Sequence, residues 1–134
     1  YADAAAQALV IRPQHFDVMV MENFLGDILS DLGGGTIGGI GLCSSGNIGD
    51  RHAYFEPIHG SAPGIAGQDC ANPVSQILTL AMMLAHLGES DAAELVRDAV
   101  YASLETGAVR LSAFGQPEGG TKSAGRVIAE AVTG

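Results

Sequence analysis

Between Gly33 and Gly49 the chain places eight glycines: Gly33, Gly34, Gly35, Gly38, Gly39, Gly41, Gly46 and Gly49. Glycine opens backbone conformations closed to other residues and lets one backbone approach another. The window is therefore either a bend between packed layers or a solvated linker. Interleaved Ile37, Ile40 and Leu42 favour a packed segment, because a flexible linker has no use for apolar side chains.

The flanking patterns predict mostly helices. Ala2 to Ile11 is Ala-rich and helical, stopped by Pro13. Phe16 to Met21 is an apolar run of strand length, read as a buried strand. A helix follows with Asn23 as its N-cap and Gly33-Gly34-Gly35 as its terminator. Beyond the glycines, Ala53-Tyr54-Phe55 predicts a short strand that feeds a loop from Glu56 to Gly67. Asn72-Pro73 then supplies an N-cap and a proline at the first helical position. Apolar residues from Val74 to Leu87 cover nearly the whole circumference of that helix, which predicts deep burial. Gly88 ends it, and its methionines read as core filler. Ser90 is expected to cap a helix from Asp91 to Glu105 with Leu95, Val96, Ala99, Val100 and Leu104 inward and Gly107 as its stop. Ser123 to Val132 predicts a last short helix.

Composition sets outer limits. The 134 residues suffice for one ordinary core, and 47% hydrophobic content with mean hydropathy +0.25 indicates a globular chain. No run of about 18 apolar residues predicts a membrane span. Net charge is −9 and the six Lys and Arg are scattered, which argues against nucleic acid or an anionic membrane surface as partner. Two cysteines make no disulfide framework, so a reduced, cytoplasmic protein is expected. Tyr1-Ala2-Asp3 has neither a basic leader nor an initiator Met, and reads as neither a signal peptide nor a natural start. No arginines cluster, so an anionic substrate would find its guanidinium partners outside this chain.

Asp27 and Asp31 stand four residues apart on the helix after Met21. That spacing puts both carboxylates on one face, where they repel unless a cation lies between them. Hard oxygen ligands suit Mg²⁺ or Mn²⁺. A solvated acidic helix face is the plainer alternative.

In order, Asn23-Phe24-Leu25-Gly26-Asp27-Ile28-Leu29-Ser30-Asp31, Asn47-Ile48-Gly49-Asp50, Phe55-Glu56-Pro57-Ile58-His59-Gly60-Ser61-Ala62-Pro63, Ala66-Gly67 and Ala71-Asn72-Pro73 resemble the metal- and NAD-binding half of the β-decarboxylating dehydrogenases. These include isopropylmalate, isocitrate, homoisocitrate and tartrate/malate dehydrogenases. The resemblance runs from Tyr1-Ala2-Asp3-Ala4 to Met82-Met83-Leu84. It implies an α/β fold, part of an isopropylmalate dehydrogenase-like α/β/α sandwich whose sheets are completed by upstream segments. Residues 1–37 would belong to the central dimerising, metal-binding domain and 38–134 to the NAD-binding domain.

The resemblance also implies roles. Asp27 and Asp31 match the pair that holds the divalent metal, and Asp3 the third carboxylate, given across a homodimer interface. The cation would stabilise the enolate left when CO₂ departs from an oxidised 2-hydroxy acid. His59, Gly60, Ser61, Ala62, Pro63, Gly64, Ile65, Ala66 and Gly67 match an adenosine clamp, with His59 against the adenine. Asn72 would touch its edge or ribose, and Glu56 would border the nicotinamide.

Some features depart from the family. Gly64 replaces the side chain that usually distinguishes NAD from NADP. Phe24-Leu25 reverses a usual aliphatic–Phe order, and Gln116 to Thr121 follows the family's tail loosely. The catalytic Tyr and Lys and the substrate arginines match upstream segments, and Tyr1, Tyr54 and Tyr101 do not replace them. His15, His52 and His86 match nothing catalytic. The chain alone is expected to lack turnover. The rival expectation is a non-catalytic regulatory or assembly module of the same family.

Overall fold

A computed structural model describes all of residues 1–134. It contains five α-helices and one two-stranded sheet, in the order α1 (Ala2–Ile11), α2 (Asn23–Thr36), β1 (Ser44–Ile48), β2 (Ala53–Pro57), α3 (Val74–His86), α4 (Ser90–Glu105) and α5 (Thr121–Thr133). Three short 3₁₀ turns cover Pro13–His15, Ile40–Leu42 and Pro63–Ile65. No helix is long and apolar enough to cross a membrane.

The core lies where α3, α4 and α5 meet. Val74, Ala99, Val100, Val109, Ala124 and Ile128 form one buried cluster, with Ile77, Leu78 and Leu104 packed against it. Helix α3 also carries the β1–β2 hairpin on another side. The strands pair antiparallel from Ser44 with Pro57 to Ile48 with Ala53. Gly46 sits where a Cβ would come within 3.0 Å of both the Met82 sulfur and the Phe55 ring, so sheet and helix meet there only because the residue is small.

Helix α3 ends in a Schellman motif. Gly88 has φ +87°, the Glu89 N–H donates to Leu84 O at 3.0 Å, and Gly88 N–H donates to Ala85 O at 3.2 Å. The chain re-enters a helix at once. Ser90 is the first residue of α4, after Glu89, and caps nothing with its side chain. Burial on α3 is one-sided, contrary to the sequence reading. Val74, Ser75, Thr79 and Ala81 are buried, whereas Leu80 and Leu87 are 42% and 65% exposed. On α4, Val96, Ala99 and Val100 face inward as expected, but Leu95 is exposed.

Three expectations fail in the first part. Phe16–Met21 is not a strand, and Val18 and Val20 are 83% and 93% exposed. A strand needs a neighbour for its N–H and C=O groups, and none of the chain's other segments pairs with this one. Helix α2 is capped by Glu22, not Asn23: the Glu22 carboxylate accepts from Phe24 N and Leu25 N at 3.0 and 2.7 Å. Gly33-Gly34-Gly35 does not stop α2, which continues to Thr36. The stop comes at Gly38 and Gly39, with φ +111° and +122°. Within α2, Gly34 is buried, and a Cβ there would lie 3.1 Å from the Cys43 sulfur and 3.3 Å from Ile40 Cγ2. Gly34, Gly41 and Gly46 of the glycine run serve close packing, as the interleaved Ile40 suggested.

Candidate cofactor cleft and metal-binding face

The loop leaving β2 folds back over the start of α3, and His59 anchors it. Its Nδ1 lies 2.9 Å from Gly60 O and its Nε2 lies 3.0 Å from Ser75 Oγ. A carbonyl oxygen only accepts, so Nδ1 carries the proton. In the neutral ring Nε2 then accepts from the Ser75 hydroxyl. Ser75 is fully buried in the first turn of α3. Both nitrogens are committed to protein, which leaves the faces of the ring for further contact.

Beyond His59 the backbone turns through Ala62, at φ +42°, into the 3₁₀ turn Pro63–Ile65. Gln68 Nε2 donates to Gly64 O at 2.8 Å and closes the loop. A Cβ on Gly60 or Gly64 would meet nothing within 4 Å, and neither has a left-handed φ. The fold itself does not require glycine at either place. The space stays open to a ligand.

Beside this loop lies a cleft of about 790 Å³, within the range of roughly 300–1,000 Å³ usual for small-molecule and cofactor sites. Eight sequence-predicted residues line it together: His59, Gly60, Ser61, Ala62, Ile65, Ala66, Gly67 and Asn72. Glu56, Pro63 and Gly64 do not. Glu56 is on β2 and accepts a hydrogen bond from the Tyr54 hydroxyl at 3.0 Å. That bond, and then the Glu56 charge, push the Tyr54 phenol above its ordinary value.

The rest of the lining was missed from sequence: Gly39 to Gly41, Asp69 to Ala71, Phe114 to Gln116, Thr121 and Lys122. The signal was available only in part, as the loosely matching Gly119-Gly120-Thr121. Asn72 shows how these segments arrive. Its Oδ1 accepts from Val74 N at 3.0 Å, capping α3, and its Nδ2 donates to Gly115 O at 2.9 Å.

The predicted metal carboxylates lie elsewhere. Asp27 and Asp31 are exposed on α2, one turn apart. Neither carboxylate has a hydrogen-bond partner, and the one ion pair in the chain is Arg126–Glu130. Free, adjacent carboxylate oxygens fit a hard divalent cation. Asp3, in the first turn of α1, accepts from Ala4 N at 2.8 Å. Within one chain no group of three or more His, Cys, Asp or Glu converges to hold a metal. The Asp31 charge is felt at Cys43, whose thiol is pushed up first by burial and second by that carboxylate.

A family model described as isocitrate/isopropylmalate dehydrogenase matches residues 1–124. This chain belongs to that family. An isocitrate/homoisocitrate dehydrogenase of Thermus thermophilus is 59% identical over 105 residues, 78% of this chain and 31% of that protein. A 3-isopropylmalate dehydrogenase of Salinibacter ruber is 44% identical over 131 residues, 96% of this chain and 36% of that protein. The crystal structure of isocitrate dehydrogenase from Methylococcus capsulatus superposes with TM-score 0.91 at 43% identity, covering 99% of this chain and 40% of that one. The chain thus spans about a third of the length of the curated relatives it matches. Membership bears out the resemblance and the α/β fold class, in a helix-rich piece with a two-stranded sheet. The curated relatives named here are dehydrogenases.

Proposed function

We propose that this chain is the metal- and dinucleotide-binding portion of an enzyme that oxidises and decarboxylates a 2-hydroxy acid carrying a β-carboxylate. The substrate is of isopropylmalate, isocitrate or tartrate type. The coenzyme is NAD, or NADP in its place, and the metal is Mg²⁺ or Mn²⁺. The observation that supports this best is the cleft, where eight of the residues expected to surround adenosine line one volume and Gly60 leaves room that the protein does not fill.

In this reading Asp27 and Asp31 hold the cation from one subunit of a homodimer and Asp3 reaches it from the other. No three-ligand group within one chain is then required. When bound, the cation supplies Lewis acidity and the dinucleotide a hydride acceptor. The chain's own residues bind and orient. His59, fixed by Ser75, offers a ring face to the adenine, and the small residues Gly60 to Ala62 let backbone approach the coenzyme. Residues 1–37 are assigned to the dimerising domain and 38–134 to the coenzyme domain. The Tyr and Lys that move protons, and the substrate arginines, come from segments outside this chain. The enzyme works in the cytoplasm.

The test is NAD(P)H formation by the natural full-length protein with Mn²⁺ and isopropylmalate, isocitrate, homoisocitrate or tartrate. Turnover with one of them, and none by residues 1–134 alone, is expected. No turnover with any would count against the reading and for a non-catalytic assembly or regulatory module, which Gly64 favours because it offers the ribose hydroxyls no acceptor side chain.

A further inference from the structure

Segments far apart in sequence are stitched together at Asp69–Asn72. Thr121 N donates to Asp69 O at 3.0 Å and Lys122 N donates to Asp69 Oδ1 at 3.0 Å. The Thr121 hydroxyl donates to Ala71 O at 2.6 Å. Helix α5 begins at Thr121 after Gly120, which has no side chain to offer. Its first N–H groups, which no helical carbonyl can reach, are satisfied by Asp69 from outside the helix.

The joint is tight. A Cβ on Gly120 would lie 2.6 Å from Asp69 Oδ2 and 2.9 Å from Asp69 O. Asp69 itself sits at φ +55°, a conformation that Asp and Asn tolerate better than other non-glycine residues. Asp69, Thr121 and Lys122 all line the cleft that also holds His59 and Gly60.

We propose that Asp69 is a positioning residue for the dinucleotide. By capping α5 from a distance it fixes the start of that helix against the Ser61–Gly67 loop, so that both line one cleft. The inference rests on the dinucleotide reading above and adds a residue to it. Asn in place of Asp keeps both the acceptor and the tolerance for positive φ. Gly keeps the backbone conformation and loses the acceptor, so it separates the cap from the strain and yields a folded variant.

The test uses the natural full-length protein with Asp69→Ala, Asp69→Gly and Asp69→Asn. A loosened start of α5 should raise the KM for NAD(P)⁺ by about fivefold, which is about 1 kcal/mol of binding free energy. That rise is expected in the Ala and Gly variants with kcat little changed, and the Asn variant should stay near the unaltered protein. Hydrogen exchange should quicken at the Lys122 amide and not in α4. Faster exchange at Lys122 without a change in KM would overturn the positioning role alone, as would an Asn variant as impaired as Ala. Failure of the unaltered protein to bind NAD⁺ or NADP⁺ would overturn the dinucleotide reading and this inference with it.

Discussion

Asp27 and Asp31 carry like charges one turn apart with nothing in the chain to neutralise either. Their repulsion gives a prediction in two directions. Asp27→Asn should stabilise the metal-free protein by about 0.2–0.5 kcal/mol, read by urea denaturation. The same substitution should lower Mn²⁺ affinity by on the order of 100-fold, since even outer-shell changes cost 10–100-fold. A solvated acidic face would show the first effect and not the second. Cys43 supplies a second residue-scale prediction. Its thiol ordinarily titrates near 9.0, and burial followed by the Asp31 charge raises it. The thiolate is the nucleophile, so Cys43 should alkylate more slowly at neutral pH than a free peptide thiol. A group held neutral in the fold stabilises fully below its unfolded pKa. That contribution should be lost as pH rises past 9.0 through the folded value.

At the scale of elements, glycines of one run do different work. Gly34 is pressed against Cys43 and Ile40, whereas a Cβ on Gly35 meets nothing within 4 Å. Gly35→Ala should therefore stabilise α2 by about 0.5–1 kcal/mol. Gly34→Ala should forfeit that gain or reverse it, because the sulfur and the Ile40 methyl must move. Thermal unfolding of both variants checks the contrast. These residues also show the limit of reading elements from sequence. Gly33-Gly34-Gly35 read as a stop because glycine is a poor helix former, but the demand for close approach prevailed. Phe16–Met21 had the composition of a strand without the partner that makes one. Helices α1, α4 and α5 were legible because Ala content, amphipathic spacing and Gly107 as the stop of α4 are local signals.

At the scale of the molecule, one core joins α3, α4 and α5. Ile128 is 1% exposed within it, so Ile128→Ala should cost about 2–5 kcal/mol in global stability, while Leu95→Ala, at 51% exposure, should cost little. The candidate site was half legible. Its contiguous part, His59 to Gly67, formed a motif. Asp69, Phe114 to Gln116 and Thr121 enter through hydrogen bonds such as Asn72 to Gly115, and no local pattern announces a wall delivered from that far along the chain. A dinucleotide bound in this cleft would have to share its space with whatever stands at position 60. A Cβ at Gly60 would meet no protein atom within 4 Å and would stand in the lining of the cleft. Calorimetric titration of NAD⁺ and NADP⁺ into the natural full-length protein and its Gly60→Val variant, with thermal unfolding of both as the control for folding, should show an affinity lower in the variant by at least about tenfold, or about 1.4 kcal/mol. Equal affinity in the two proteins would show that the dinucleotide does not bind in this cleft.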